Sequence, residues 1–176
     1  MTCFWELGFD GASITALEAA AGIDRRQLSR DYGNKRALFL QSLDDFMVVA
    51  GERYLVRLEH EGSGLDDIAT TLSELADPSR QSRGHLGCLI CNTSLEPITS
   101  QDDAVRARVH AFFHRIEGAY RLALTHAAEA GEVRADPHKA ARQLLGAHVA
   151  LLCLARSRVS DDVLADIAEQ TLASLR

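Results

Sequence analysis

The chain has 176 residues, 47% of them hydrophobic, and a formal net charge of −6; that is enough material for a buried core in one large or two small domains. The acidic balance excludes a protein that coats nucleic acid without specificity, because such proteins are basic overall. It leaves room for a specific reader whose cations are gathered in one place.

Strand formers alternate in no run of the sequence, Pro is scarce, and Ala, Leu, Arg and Glu dominate long segments, so the expected fold class is all-α. Four cysteines at uneven spacing without a secretory signal point to a reducing cytosol. No apolar run approaches the roughly twenty residues that span a bilayer. The expectation is a cytoplasmic protein with no membrane partner.

Met1 to Leu7 reads as the end of a helix, with Phe4, Trp5 and Leu7 as apolar contacts that close over the two short helices after it. Ser13 is placed to cap the first of these, whose Ile14, Leu17 and Ala21 recur on an inner face, and Gly22 supplies a positive φ for a sharp turn. Asp24, with Gln27 three residues on, has the capping-box spacing and opens the second. Its Ile23 and Leu28 face the first helix, which leaves Arg25, Arg26, Gln27, Ser29 and Arg30 outward. Asn34 then caps a long helix with Lys35 and Arg36 in its first turn, where cations and helix N-terminus together attract a phosphate.

From Gly22 to Arg36 five cations face two aspartates, a local excess of +3 in an acidic chain. Arg binds guanine bidentately, Gln binds adenine, and Ser bonds either a base edge or a phosphate. The pattern therefore fits a DNA-reading helix-turn-helix, and it also fits a plain helical hairpin with a solvated basic face.

The long helix runs from Asn34 to about Glu61, with Leu38, Phe39, Leu43, Phe46, Val49, Ala50 and Leu58 as its apolar stripe, and Gly62-Ser63-Gly64 breaks it. Leu65 to Ala76 is an amphipathic helix with Ile68, Leu72 and Leu75 inward, stopped by Asp77-Pro78 and followed by a polar loop over Ser79 to Arg83. Leu86 to Leu95 is apolar and carries Cys88 and Cys91, a spacing that serves metal or redox chemistry or two buried thiols. Gln101 to Ala130 is a long helix with Val105, Val109, Phe112, Phe113, Ile116, Tyr120 and Leu124, ended by Gly131. Its His110 and His114 share a face but lack the intervening glutamate of a zinc protease, and read as half-exposed.

Asp136 and Pro137 are a cap and a first-turn proline for a helix to about Arg156 that is apolar on more than one face. Ser160 starts a last helix to Leu175, presenting Val163, Leu164, Ile167, Leu172 and Leu175. So apolar a terminal hairpin has more surface than one small body covers, and a subunit interface is expected.

The run Phe4 to Ile14, then Ala20-Ala21-Gly22-Ile23-Asp24, Leu28, and Tyr32-Gly33-Asn34-Lys35-Arg36-Ala37-Leu38-Phe39, resembles the DNA-binding domain of TetR (tetracycline-repressor-like) bacterial regulators. Gly87-Cys88-Leu89 followed by Asn92-Thr93-Ser94-Leu95-Glu96 resembles a ligand-domain helix in one branch of that family. The chain departs from the pattern in a shortened first helix, in Ser29 where most relatives have Tyr, and in Arg26 where many have a small residue. The shortened helix buries less area, so a weakly stable amino-terminal domain is expected.

The resemblance implies a helix-turn-helix domain over 1–40 and a helical ligand-binding and dimerisation domain over 41–176. It further implies a ligand-responsive repressor that binds a near-palindromic double-stranded operator as a homodimer. Arg25, Arg26, Gln27 and Ser29 are the candidate base readers, and Ser13, Arg30, Tyr32 and Lys35 the candidate phosphate contacts. Cys88, Cys91, His110, Phe112, Phe113 and Tyr120 are candidates to line the site of a small-molecule effector, with core packing the competing reading of the aromatics. No cofactor or resident metal is expected. Two alternatives stand beside this: a thiol-based redox or metal sensor on the same scaffold, and a helical ligand-binding protein that has lost DNA binding. No nucleophile with a recognisable base, phosphate loop or cleft-forming carboxylate pair marks an enzyme.

Overall fold

A computed structural model describes residues 1–77, 79 and 86–176; Pro78 and, apart from Ser79, the polar loop expected to follow it lie outside the described residues. The described residues form helices and no strand: α1 (Thr2–Gly11), α2 (Ile14–Ala21), α3 (Arg25–Tyr32), α4 (Lys35–Ala50), a π-helical turn (Gly51–Leu55), α5 (Val56–Glu59), α6 (Leu65–Ala76), α7 (Leu89–Ser94), α8 (Pro97–Gln101), α9 (Asp103–Glu129), α10 (Pro137–Arg156) and α11 (Asp161–Ala173). They pack as two compact units, Met1–Val49 with Cys88–Ala111, and Ala50–Gly87 with Phe112–Arg176. This packing division is a different matter from the functional division expected at residue 40.

The first unit is built on an aromatic cluster. Phe4 lies 4.9 Å and Phe9 5.0 Å, ring to ring, from Phe39 of α4, and Trp5 meets Phe46 edge-on at 5.0 Å. Such pairs add about 0.5–1.5 kcal/mol beyond the area they bury. Leu7, expected to join them, is exposed; at the next residue α1 is kinked (Gly8, φ 72°, ψ 178°) and the chain leaves the helical path. The kink has a partner: the Phe9 N–H donates to Glu96 Oε2 at 2.6 Å, and a Cβ at Gly8 would lie 2.9 Å from the same oxygen. Glu96 therefore supplies the acceptor that the broken helix lacks.

Two further polar links fasten the segment 88–111. Arg36 grips both carboxylate oxygens of Asp102, and Arg108 grips those of Asp44 at 2.7 and 2.9 Å. Asp102 also accepts the N–H groups of Ala104 and Val105. Held from both sides in extended geometry (φ −130°, ψ 111°), it separates α9, the helix expected over Gln101 to Ala130, from α8, a short helix that the sequence did not announce.

In the second unit the expected continuous helix contains the π-turn at Gly51–Leu55. Its extra residue shifts the phase of the next turns by about one position, and Leu55 and Leu58 are both fully buried. Val49 and Val56, by contrast, are about half exposed, so Val49 does not belong to the buried stripe. On α6, Ile68, Leu72 and Leu75 face inward as expected, against α10 and α11. Asp136 caps α10 by accepting from Lys139 N at 2.9 Å, and its carboxyl is held below the usual range chiefly by that backbone bond. Ser160 precedes α11 without a side-chain capping bond, and Val163 is exposed on that helix.

One buried polar pair interrupts this apolar packing. The Tyr120 hydroxyl lies 3.0 Å from His148 Nδ1, both side chains buried, with the Tyr54 ring edge-on to the imidazole. Burial pushes the Tyr120 hydroxyl up and lowers His148 to about 4. A neutral imidazole can accept the phenol proton here, so the two polar groups satisfy one another.

Candidate nucleic-acid interface

The interface is set by α2 and α3. Ser13 Oγ accepts from Ala16 N at 3.1 Å, Leu17 is buried, and Gly22 ends α2 in the left-handed region (φ 68°) while its N–H donates to Glu18 O. Ala21, expected inward, is exposed beside that turn. Asp24 Oδ1 accepts from Gln27 N at 2.8 Å and starts α3. Leu28, 2% exposed, is the buried residue of α3 and pins it by one face. With Leu28 inward, helical spacing turns the polar side chains out: Arg25, Arg26, Ser29 and Arg30 are exposed and Gln27 half-buried.

The four candidate base readers therefore share one short helix with its apolar side committed. The candidate phosphate contacts are placed more variously. Ser13 is exposed but its oxygen already caps α2. Arg30 pairs with Asp31 at 3.0 Å, both exposed, a contact that water and salt weaken. Tyr32 is half-buried at the end of α3. Lys35 Nζ sits 4.7 Å over the Phe9 ring and 3.4 Å from the Asp10 carbonyl, which holds the ammonium beside the start of α4. Arg36, counted in the local positive excess, is paired with Asp102, whose carboxyl falls to about 2 mainly through that bond. Asn34 Oδ1 caps α4 by accepting from Ala37 N at 2.9 Å. Asp102 is far along the chain, so sequence reading could not foresee the loss of one free cation.

The candidate effector residues do not all share one environment. Cys88 and Cys91 are buried at the start of α7, where the Cys91 N–H points at Cys88 Sγ at 3.5 Å. None of the four cysteines is joined in a disulfide. His110 and His114 are exposed. In the second unit Phe112 and Tyr120 are buried and Phe113 is half-buried. Tyr120 is met there by His148, a polar residue buried on α10. Among the described residues no group of three His, Cys, Asp or Glu side chains converges as a metal site, and no helix is long and apolar enough to cross a membrane.

Comparison with known proteins agrees with this arrangement. A curated HTH-type transcriptional regulator of uncharacterised role, YezE of Bacillus subtilis (strain 168), is 28% identical over 98% of this chain and 90% of its own. Among solved structures, the TetR-family regulator CifR, as a cysteine mutant with 26-bp double-strand operator DNA, superposes with a TM-score of 0.85 at 24% identity, over 99% of this chain and 92% of that one. Reduced NemR of E. coli gives 0.77 at 18% identity, over 99% and 90%. The family profile described as tetracyclin repressor-like, C-terminal domain, matches residues 64–171, more than half of the sequence. With that profile over its helical body and a capped helix-turn-helix before it, the chain belongs to the TetR family of transcriptional regulators.

Proposed function

We propose that this regulator is a ligand-responsive repressor that binds a near-palindromic operator as a homodimer, with 1–40 as the reading head and 41–176 as the regulatory and dimerisation part. One observation carries the reading: α3 is pinned by Leu28 and turns Arg25, Arg26, Gln27 and Ser29 outward together. A helix so presented fits a major groove, and two of them about 34 Å apart fit successive grooves on one face of a duplex. CifR's operator complex supports the assignment. An effector acts by binding the two spacings of the heads with different affinity, since equal affinity shifts nothing.

Fluorescence anisotropy with DNA from upstream of the gene tests this. The expected result is binding at least about a thousandfold tighter than to random DNA at moderate salt. Equal affinity for both removes the readout and leaves a helical ligand-binding protein that has lost DNA binding.

A second reading, a thiol-based sensor on the same scaffold, draws on the first-turn pairing of Cys88 and Cys91. Its support is thinner because both thiols are buried, which slows attack by an oxidant. It requires that diamide or zinc alter operator affinity in the wild type and leave a Cys88→Ser protein unchanged.

A further inference from the structure

Phe9, Asp10 and Gly11 form a turn of their own at the end of α1. Gly8 breaks the helical path before them, and the Ala12 N–H closes the turn by donating to the Gly8 carbonyl at 3.2 Å. The N–H that opens it, that of Phe9, donates to Glu96 Oε2 at 2.6 Å, a bond to a carboxylate and so of the stronger, charge-assisted kind. Glu96 thus anchors the turn from 87 residues further along the chain.

The same turn offers two groups to one ammonium. Lys35 Nζ lies 4.7 Å from the centroid of the Phe9 ring and 3.4 Å from the Asp10 carbonyl oxygen. The Phe9 ring is itself set against Phe39 at 5.0 Å and Phe4 at 6.5 Å, so the aromatic cluster holds the ring and the ring holds the lysine. A lysine is a point charge on a flexible four-carbon stem, and fixing that stem on a phosphate costs rotamer entropy. Here much of that ordering precedes any contact with DNA. Of the three ammonium donors only one is spent on Asp10, which leaves donors for a phosphate oxygen.

We propose that Glu96 and Phe9 are positioning residues for operator binding. Glu96 fixes the turn, the turn holds the Lys35 ammonium at the start of α4, and Lys35 meets a backbone phosphate with its rotamer already selected. Neither Glu96 nor Phe9 touches DNA. Their effect on affinity rests on the operator reading given above, whereas the ordering of Lys35 is measured without DNA, so the two can fail separately.

The first measurement is NMR of the full chain alone. The sequence has two lysines, Lys35 and the exposed Lys139, which makes their ε-methylene resonances easy to assign. Those of Lys35, lying over an aromatic face, are expected upfield of those of Lys139. They should move toward them in Phe9→Leu and in Glu96→Leu, and Glu96→Gln, which keeps an acceptor for the Phe9 N–H, should restore the shift. The second measurement is fluorescence anisotropy with the upstream DNA and with random DNA of equal length. Phe9→Leu and Glu96→Leu are each expected to weaken both DNAs about tenfold, a few-fold from each head, and Glu96→Gln should recover most of the loss. In a Lys35→Met background neither substitution should cost anything further, because the group they position is gone; a merely structural role would give the same loss with or without the lysine. Lys35 resonances coincident with those of Lys139 in the wild type, or equal losses in the two backgrounds, would overturn the proposal. Upstream DNA bound no better than random DNA would sink the operator reading alone, since the resonances and the random-DNA losses still decide this one.

Discussion

His148 sits on a helix rich in leucine and alanine, buried away from solvent, with Tyr120 as its hydrogen-bond partner. Its folded value of about 4 lies below the unfolded 6.5, so between those limits the unfolded chain takes up the proton first. The stability it supports is complete above pH 6.5 and is lost as pH falls toward 4, with a limiting slope of about 1.4 kcal/mol per pH unit. Thermal melting from pH 7 to 4.5 should show this fall. A Tyr120→Phe, His148→Leu protein, which removes both polar groups together, should have a markedly flatter profile; an unchanged slope would assign the effect elsewhere. His148→Leu alone strands the Tyr120 hydroxyl and should cost about 1–3 kcal/mol at pH 7. Leu28 governs the reading head in the same single-residue way: Leu28→Ala should cost about 2–5 kcal/mol in denaturant unfolding and take operator binding with it.

Among the elements, α3 and the start of α4 divide the work of recognition. Gln27→Ala should relax preference at one base pair by about 1–3 kcal/mol, whereas Lys35→Ala should weaken all sequences alike and lower the salt slope by about one. Anisotropy against a set of single-base operator variants at several salt concentrations separates the two effects, and identical behaviour of both variants would refute the division. The kink in α1 depends on Gly8: Gly8→Ala combines a left-handed φ with a Cβ pressed onto Glu96, and should destabilise the fold by more than about 1 kcal/mol in urea titration. Glu96→Gln keeps an oxygen for the Phe9 N–H and should be milder. The Arg36–Asp102 link has the same sign as His148 in acid but acts in a lower pH window. Asp102 is depressed to about 2 from 3.8, so its contribution is intact above pH 4 and is lost only as pH falls toward 2. The destabilisation expected between pH 6.5 and 4 therefore does not come from this link.

At the scale of the whole molecule, the terminal hairpin is less exposed than its composition suggests. Leu144, Leu151, Leu152 and Ala155 of α10 and Leu164 of α11 are buried within one chain, while Val163 is exposed and Leu145 and Ile167 are half-buried. A dimer face has to be built from that narrower set. Light scattering should give twice the 19.2 kDa chain mass, and Val163→Glu with Ile167→Glu should shift it to the monomer and weaken operator binding by losing the second head. A dimer that survives both changes would place the interface elsewhere.

The longer helices and most of their caps and inner faces were legible because they are written locally, whereas α8 and the π-turn were not. Ser13, Asp24, Asn34 and Asp136 each cap the helix that comes after them through bonds spanning three residues, and Leu17, Leu28, Ile68 and Leu72 recur at helical period. The outward face of α3 came from the same periodicity once Leu28 was turned in. What only the tertiary structure decided are features whose partners lie far along the chain. Glu96 at the Gly8 kink, Asp102 claiming Arg36, and His148 meeting Tyr120 are all of that kind. Periodicity reports which side of a helix is buried, and it carries no record of which distant residue waits there.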